Sequence, residues 1–497
     1  MKLLEFPSFS VLLASLLFFF MVVKFLKKSK SKLPPGPTEL PLIGNLHQLA
    51  SSTLPHRSLR ELAEKHGPLM HLKLGEISAI VISSAEAAEA ALKTHELSFS
   101  QRPILVAVDV MAYGGSGVVF SPYGKYWRQL RKIITTELLS VKRVRSFRTV
   151  REEEVWNFID SISSSAGHSI NLTEKIYKLT SCITSRAMFG KECKDASEFV
   201  KVVTEGSELG GGFDLPELFP SLKFLHFISS TKPALQKLHT RLDRLLDNII
   251  TEHKSKGGIK SKSSTDDDLV DMLLQLLDSD DLEFPFTTTD IKAIILDIFG
   301  AGTDTTATTT EWAMAELLKH PTIMEKAQAE VRKVLEGKSK ICEEDIQELN
   351  YLRFVIKETL RLHPPAPLAP RESRETCEID EYEIPMKTKV IINLWAIGRD
   401  PNHWEDADCF RPERFDGSSI DYKGTNFQYI PFGSGRRMCP GISFGISTVE
   451  YQLALMLYHF NWELPNGMKP QELNMTEVFG ATVKKKDPLC LTASQMS

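Results

Sequence analysis

Two periods run through the hydrophobic positions of this chain. In residues 71–84, two apolar runs flank a Gly-containing turn at Gly75, which predicts a β-hairpin. Most of the chain beyond that hairpin repeats every three to four residues. That period predicts helices over 145–164, 233–255, 268–278, 288–319 and 322–337. A second strand-rich patch is expected over 376–394 and a late one over 479–492. Residues 257–268 are rich in Gly, Ser, Lys and Asp and read as a mobile surface loop. After Gly210, a second loop carries Leu215, Leu218, Phe219, Leu222, Phe224 and Phe227. So apolar a loop is either a buried connection or a lipid-facing way in for an apolar substrate. A large helical region beside a small strand region, without βαβ alternation, predicts a mainly α (α+β) fold.

Phe6 to Val23 is an uncharged apolar run of 18 residues, followed by Lys24, Lys27, Lys28, Lys30 and Lys32. As a helix it would span roughly 27 Å, about the hydrocarbon thickness of an endoplasmic reticulum bilayer. The lysines after it predict that the rest of the chain stays cytoplasmic. The run is longer than a signal peptide's apolar core, and no small-residue cleavage site precedes the lysines. The sequons at Asn171 and Asn474 should therefore carry no glycan. Leu33 to Pro37, with three prolines, is a stiff spacer. The expected organisation is an anchor with basic flank over 1–32, a hinge over 33–37 and a catalytic domain over 38–497.

Charge and cysteine content narrow the class. The 497 residues include 60 Lys plus Arg and 64 Asp plus Glu, a net charge of −4, so nucleic acid is not an expected partner. Seven cysteines without a C-x-x-C pair argue against both a disulfide framework and a structural zinc site. Cys439 stands apart from the other six. It lies just before a helical pattern beginning at Ile442, where free N–H groups would favour a thiolate. Gly433, Gly435 and Gly441 allow a sharp turn, and Arg437 could bind an anionic group. A soft thiolate, a close flat approach and a nearby cation suit haem iron and its propionates.

The loop matches F-x-x-G-x-R-x-C-x-G through Phe432, Gly435, Arg437, Cys439 and Gly441. On this pattern the chain resembles the cytochromes P450 of the plant microsomal type, which are haem-thiolate monooxygenases. The resemblance runs from the anchor onward, because further motifs come in the family's order. It implies the P450 fold, with haem b between two central helices and Cys439 as its axial iron ligand. Ala301 to Thr306 matches [AG]-G-x-[DE]-T-[TS] in the middle of the 288–319 helix. By resemblance, Thr305 orients protons toward iron-bound oxygen, Asp304 relays protons from solvent, and Ala301 and Gly302 leave room over the haem. Taken by themselves, the Gly and Thr residues suggest a local loosening of that helix. Glu358 and Arg361, three apart on a helix, would join Arg414 in a network that holds the thiolate loop. Trp127 and Arg131, with Arg371 and Arg437, would hold the propionates.

The resemblance also implies partners and reaction. NADPH would act through a flavoprotein, the NADPH–cytochrome reductase, with cytochrome b5 as a second donor and O2 as co-substrate. Arg128, Lys132, Lys142, Arg143, Arg145, Arg148 and Arg436 would form its docking patch. The expected reaction turns R–H, O2 and NADPH into R–OH. A haem-dependent isomerase or lyase needing no NADPH is the alternative, and the presence of Thr305 favours oxygenation. The stretches that would line the substrate pocket are mostly apolar and include Val110, Met111, Leu209, Ala301, Ala366, Leu368, Phe479 and Ala481. Asp297 is a charged exception. A neutral lipophilic substrate is expected, and resemblance to plant terpenoid hydroxylases points to a terpene. The other reading is an indole alkaloid or a phenolic, with Asp297 able to pair with an amine.

Overall fold

The computed structural model describes Ser15 and residues 32–50, 54–190, 195–210, 214–225, 229–257, 268–277, 282–338 and 340–495. The apolar run at 6–23 and most of the polar loop at 257–268 lie outside the described residues. Among the described residues, no helix is long and apolar enough to cross a membrane.

The principal helices are α1 (Pro55–His66), α2 (Lys125–Ile133), α3 (Arg148–Ser163), α4 (Leu172–Phe189), α5 (Ala196–Gly210), α6 (Thr231–Gly257), α7 (Leu269–Leu277), α8 (Thr288–Lys319), α9 (Pro321–Leu335), α10 (Asn350–Leu362) and α11 (Ile442–His459). The strands are β1 (Leu69–Leu74), β2 (Ile77–Ile82), β3 (Ser169–Asn171), β4 (Leu368–Glu372), β5 (Cys377–Ile379), β6 (Tyr382–Ile384), β7 (Lys389–Asn393), β8 (Phe460–Glu463), β9 (Glu477–Val478), β10 (Lys484–Lys485) and β11 (Cys490–Gln495). The mainly helical architecture and four of the five periodic helices agree with the sequence pattern. The fifth differs: the expected 145–164 element is split at Phe147, which closes a short helix over Val141–Ser146 and precedes α3.

The hairpin pairs Leu69 with Ile82 and Leu74 with Ile77, which leaves Gly75 and Glu76 as the turn. The four-stranded sheet runs β1-β2-β7-β4, with β2 and β7 parallel. Alternation sets its two faces. Ala79 and Val81 pack with Leu59 and Ala63 of α1, while Ile80 and Ile82 join Val390, Ile392 and Leu92 on the other side.

The large core lies in the helical region around α8, which packs against α4, α10 and α11. A capping box fixes the start of α8: Asp290 N–H donates to Thr287 Oγ1 at 3.3 Å and Thr287 N–H to Asp290 Oδ2 at 2.7 Å. His320 caps its C-terminus and Pro321 begins α9, so two helices abut without a loop. Every residue from Thr306 to Leu318 is buried, which is why this stretch lacks a polar face.

A short helix, Val106–Met111, packs on α5 and α6. The fit is tight: a Cβ added at Gly206 of α5 would come 2.8 Å from the Met111 thioether methyl. The turn after it is clasped to the helices below. Tyr113 OH donates to Asp243 of α6 at 2.9 Å, and Lys292 of α8 donates to the same carboxylate at 2.6 Å.

Candidate active site

Cys439 sits three residues before the first residue of α11. Its N–H donates to Phe432 O at 3.0 Å and closes the loop. Gly435 has φ +70°, and a Cβ there would lie 2.7 Å from Leu92 O, so the turn needs glycine twice over. The Cys439 side chain is open to a water-sized sphere yet deeply surrounded by protein, as a group lining an internal space is. Burial pushes its thiol up, while the Gly441 N–H and Arg131 pull the other way. Burial is the larger of these effects.

Four guanidinium groups gather near this sulfur. Arg371 is 2% exposed, and burial with Arg102 and Arg437 beside it drives its pKa well down. Burial, then Arg102 and Arg131, bring Arg437 to about 9. Arg102 falls to about 10 by burial. Arg131 is half-buried and acts on Cys439. Among the described residues none of the four is ion-paired with a carboxylate; Asp297 acts at longer range on Arg102. Two buried polar atoms there, Arg102 Nε and Ser121 Oγ, have no hydrogen-bond partner. Arg102 is absent from the sequence-based set: no periodicity marks it, and only its three-dimensional neighbours do. Trp127 differs from expectation. Its indole N–H donates to Val118 O at 2.9 Å, and the Arg437 guanidinium stacks on its ring at 4.4 Å.

Helix α8 passes this space without interruption. The expected loosening of its backbone does not occur. Thr305 Oγ1 donates to Ala301 O at 2.7 Å, a second bond that rides on the helix ladder. Ala301 is exposed in the middle of a helix whose next exposed residue is Thr289 in the first turn, so it faces open space. Gly302 does not: a Cβ there would sit 3.5 Å from Thr184 of α4. One residue turns the helix by about 100°, which carries Gly302 onto the α4 side. Asp304 lies on another flank. Its Oδ1 pairs with Lys484 Nζ at 2.7 Å and its Oδ2 accepts from Thr482 Oγ1 at 2.5 Å. These three residues line a cavity of about 1020 Å³ between α4, α5, α8 and the 478–484 segment.

The Glu358 carboxylate is buried and saturated with donors. Arg361 reaches it through two bonds of 2.8 Å, Arg414 Nε through one of 2.9 Å, and the Arg411 N–H through one of 2.8 Å. Arg361 also donates to the Gly398, Ala407 and Cys409 carbonyls. The pair is thus no surface salt bridge; it ties α10 to the segment leading to the thiolate loop.

The cytochrome P450 family profile matches residues 34–491. This chain is a cytochrome P450. It is 55% identical to a desmethyl-deoxy-podophyllotoxin synthase of Sinopodophyllum hexandrum, over 99% of this chain and 97% of that one. It is 52% identical to a melianol synthase of Azadirachta indica and 51% to a germacrene A hydroxylase of Tanacetum parthenium, each over 98% of both chains. A zebra fish cytochrome P450 solved with progesterone has the same fold, at TM-score 0.76 and 24% identity, over 89% of this chain and 99% of that one.

The P450s are haem-thiolate monooxygenases that use O2 and NADPH electrons delivered through a reductase. The site fits that group. Buried cations without anions, two orphaned polar atoms and an open sulfur suit a dianionic disc bearing a metal. Of the residues assigned to this P450's substrate pocket, Phe479 and Ala481 line the 1020 Å³ cavity, whereas Val110, Met111, Leu209, Asp297, Ala301, Ala366 and Leu368 do not, and neither Thr305 nor Cys439 borders it. Met111 is packed against Gly206, and Leu209 is largely solvent-exposed. Asp297 is half-buried, its Oδ2 accepts from Val119 N–H at 3.0 Å, and desolvation raises its pKa to about 7.

Proposed function

We propose that this P450 hydroxylates a neutral terpenoid, taking one oxygen atom from O2 into the product and the other into water. Two relatives of about half identity are named for melianol and germacrene A. The observation that carries the reading of a neutral substrate is Asp297. Its carboxyl is tied to the Val119 N–H and drawn toward the protonated form by burial, which leaves no ionic anchor for an amine. In this reading bound haem supplies oxygen activation. Cys439 ligates the iron, Arg131, Arg371 and Arg437 hold the propionates with Trp127 packed behind, and Phe432 supports the loop. Thr305 presents its hydroxyl beside Ala301, and Asp304 exchanges protons with the cavity. Glu358, Arg361 and Arg414 keep the loop in place.

The reductase docks beside the thiolate loop. Arg128, Arg374 and Arg436 gather round the Tyr123 ring, at 6.0, 5.3 and 5.8 Å, which gives the patch a centre. Arg148 and Arg436 already pair with Glu152 and Glu96, so Arg128, Lys132, Lys142 and Arg145 are the freer cations. We place the protein at the endoplasmic reticulum membrane through residues 6–23. A second lipid contact is supported by exposed Leu42, Ile43, Leu215, Leu222 and Phe224, several of which meet at the β1–β2 turn. There Gly75 N–H donates to Ile43 O and Glu76 N–H to Leu218 O.

Yeast microsomes carrying the protein and a plant reductase test this directly. Sesquiterpenes, diterpenes and triterpenes are offered beside alkaloids, phenolics and deoxy-podophyllotoxin-type compounds, with and without NADPH. An NADPH-dependent product one oxygen heavier from a terpene is expected. Turnover of an alkaloid or phenolic alone would overturn the substrate class and keep the reaction. Product without NADPH would overturn the reaction.

A further inference from the structure

We infer that Lys484 and Thr482 form a latch that holds the Asp304 carboxylate on the cavity side of α8 until a ligand displaces the tip carrying them. The inference rests on the proposed role of Asp304 as a proton relay.

Both oxygens of Asp304 are engaged, one by the Lys484 ammonium at 2.7 Å and one by the Thr482 hydroxyl at 2.5 Å. The two partners belong to a ribbon only two residue pairs long, Val478 with Lys484 and Glu477 with Lys485. The ribbon's base is anchored. Glu477 is held by His56 and Arg57 at 3.1 and 2.8 Å, and Trp312 Nε1 donates to Val483 O at 3.1 Å. Its tip is held more lightly: Phe479 stacks on the His56 ring at 6.3 Å, and Phe479, Gly480 and Ala481 line the cavity. A ligand pressing on Ala481 therefore moves Thr482 before it moves the base. In the same position the Lys484 ammonium lies over the Tyr177 ring at 4.8 Å, a contact that does not depend on Asp304.

Asp304 stands one residue round the helix from Thr305, whose hydroxyl donates to Ala301 O and keeps its lone pairs to accept. Released, the Asp304 carboxylate takes a proton from solvent through the cavity water and passes it through water toward the Thr305 oxygen. Thr305 gives its own proton in turn to the oxygen being reduced, and Asp304 returns to the anion. One proton enters from solvent and one leaves into the water formed. Held in the latch, Asp304 stays with Lys484, and no proton is committed before a ligand is seated.

Four variants, each checked for haem content, test the latch: Lys484→Met, Lys484→Arg, Thr482→Val and Asp304→Asn. One readout needs no turnover. Hydrogen exchange of residues 477–486 is measured with and without clotrimazole, a bulky azole that fills the pocket. Wild type should exchange roughly fivefold faster there when the azole binds, and Lys484→Met should be that fast without it. The second readout is NADPH consumed without substrate, with electrons recovered as hydrogen peroxide or water. It should rise roughly fivefold in Lys484→Met, less in Thr482→Val, and return to the wild-type level in Lys484→Arg. If Lys484→Met loads no haem, Thr482→Val alone carries the test. Wild-type behaviour of both variants in both readouts, with Asp304→Asn slow, would overturn the latch and keep the relay. Wild-type turnover by Asp304→Asn would overturn the relay on which the latch rests.

Discussion

Two clusters of buried arginines, both close to the thiolate loop, are built on opposite principles. Around Glu358, Arg361 and Arg414 find a carboxylate and a ring of carbonyls, and every charge is answered. Around Cys439, Arg102, Arg131, Arg371 and Arg437 face one another, and among the described residues no carboxylate pairs with them. A buried charge with its counter-charge in the same chain is scaffold. A buried charge without one is half of a contact whose other half arrives from outside. The contrast separates support from site more sharply than burial does, since Arg361 and Arg371 are equally hidden.

The largest effect should come from breaking the answered cluster. Glu358→Ala strands two buried guanidiniums and should destabilise the fold by about 3–5 kcal/mol, with loss of haem. Normal haem content and melting temperature in that variant would refute the assignment. The unanswered cluster should respond with a split sign. In apo protein, Arg371→Met removes one of several mutually repelling cations, so thermal stability should hold or rise. In holoprotein the same change should speed haem loss about tenfold, roughly 1.4 kcal/mol. Equal destabilisation of both forms would erase the distinction.

Asp297 sharpens the comparison from the acidic side. It is half-buried where Glu358 is fully buried, and it has two backbone donors and a distant Arg102 instead of two paired guanidiniums. Burial raises its pKa to about 7, so the folded state binds this proton more tightly than the unfolded chain does. Its contribution is complete below about pH 4 and is lost as the pH rises through 7. The loss is on the order of 4 kcal/mol. Asp297→Asn keeps an acceptor for Val119 N–H and should flatten the stability curve over that window. Chemical denaturation from pH 4 to 8 reads the slope. The smallest effect is expected at the surface. Raising ionic strength from 0.05 to 0.5 M should slow reductase-supported turnover by roughly twofold, since exposed pairs are screened.

Local features are legible in the sequence, and distant pairings are not. The ends of α8 follow from Thr287, Asp290 and Pro321, and the hairpin from two apolar runs around Gly75. The thiolate loop and the Glu358–Arg361 spacing can also be read, because each is a short pattern. Arg102 cannot, since its meaning lies in Arg371, hundreds of residues away. Nor can the partners of Asp304, which come from a ribbon 178 residues on. Spacing on a helix names a face, not an acceptor, so it offers the Trp127 indole to a propionate while the N–H goes to Val118 O. Adjacency groups Gly302 with Ala301, although one residue's rotation separates their faces.

The contact between Met111 and Gly206 makes the seating of a short helix depend on a missing side chain. An added Cβ at Gly206 would stand 2.8 Å from the thioether methyl, so alanine there would have to push Met111 aside. Tyr113, clasped to Asp243 beside Lys292, ties the end of the same short helix to α6 and α8. One methyl group on α5 would thus be felt in two helices it never touches.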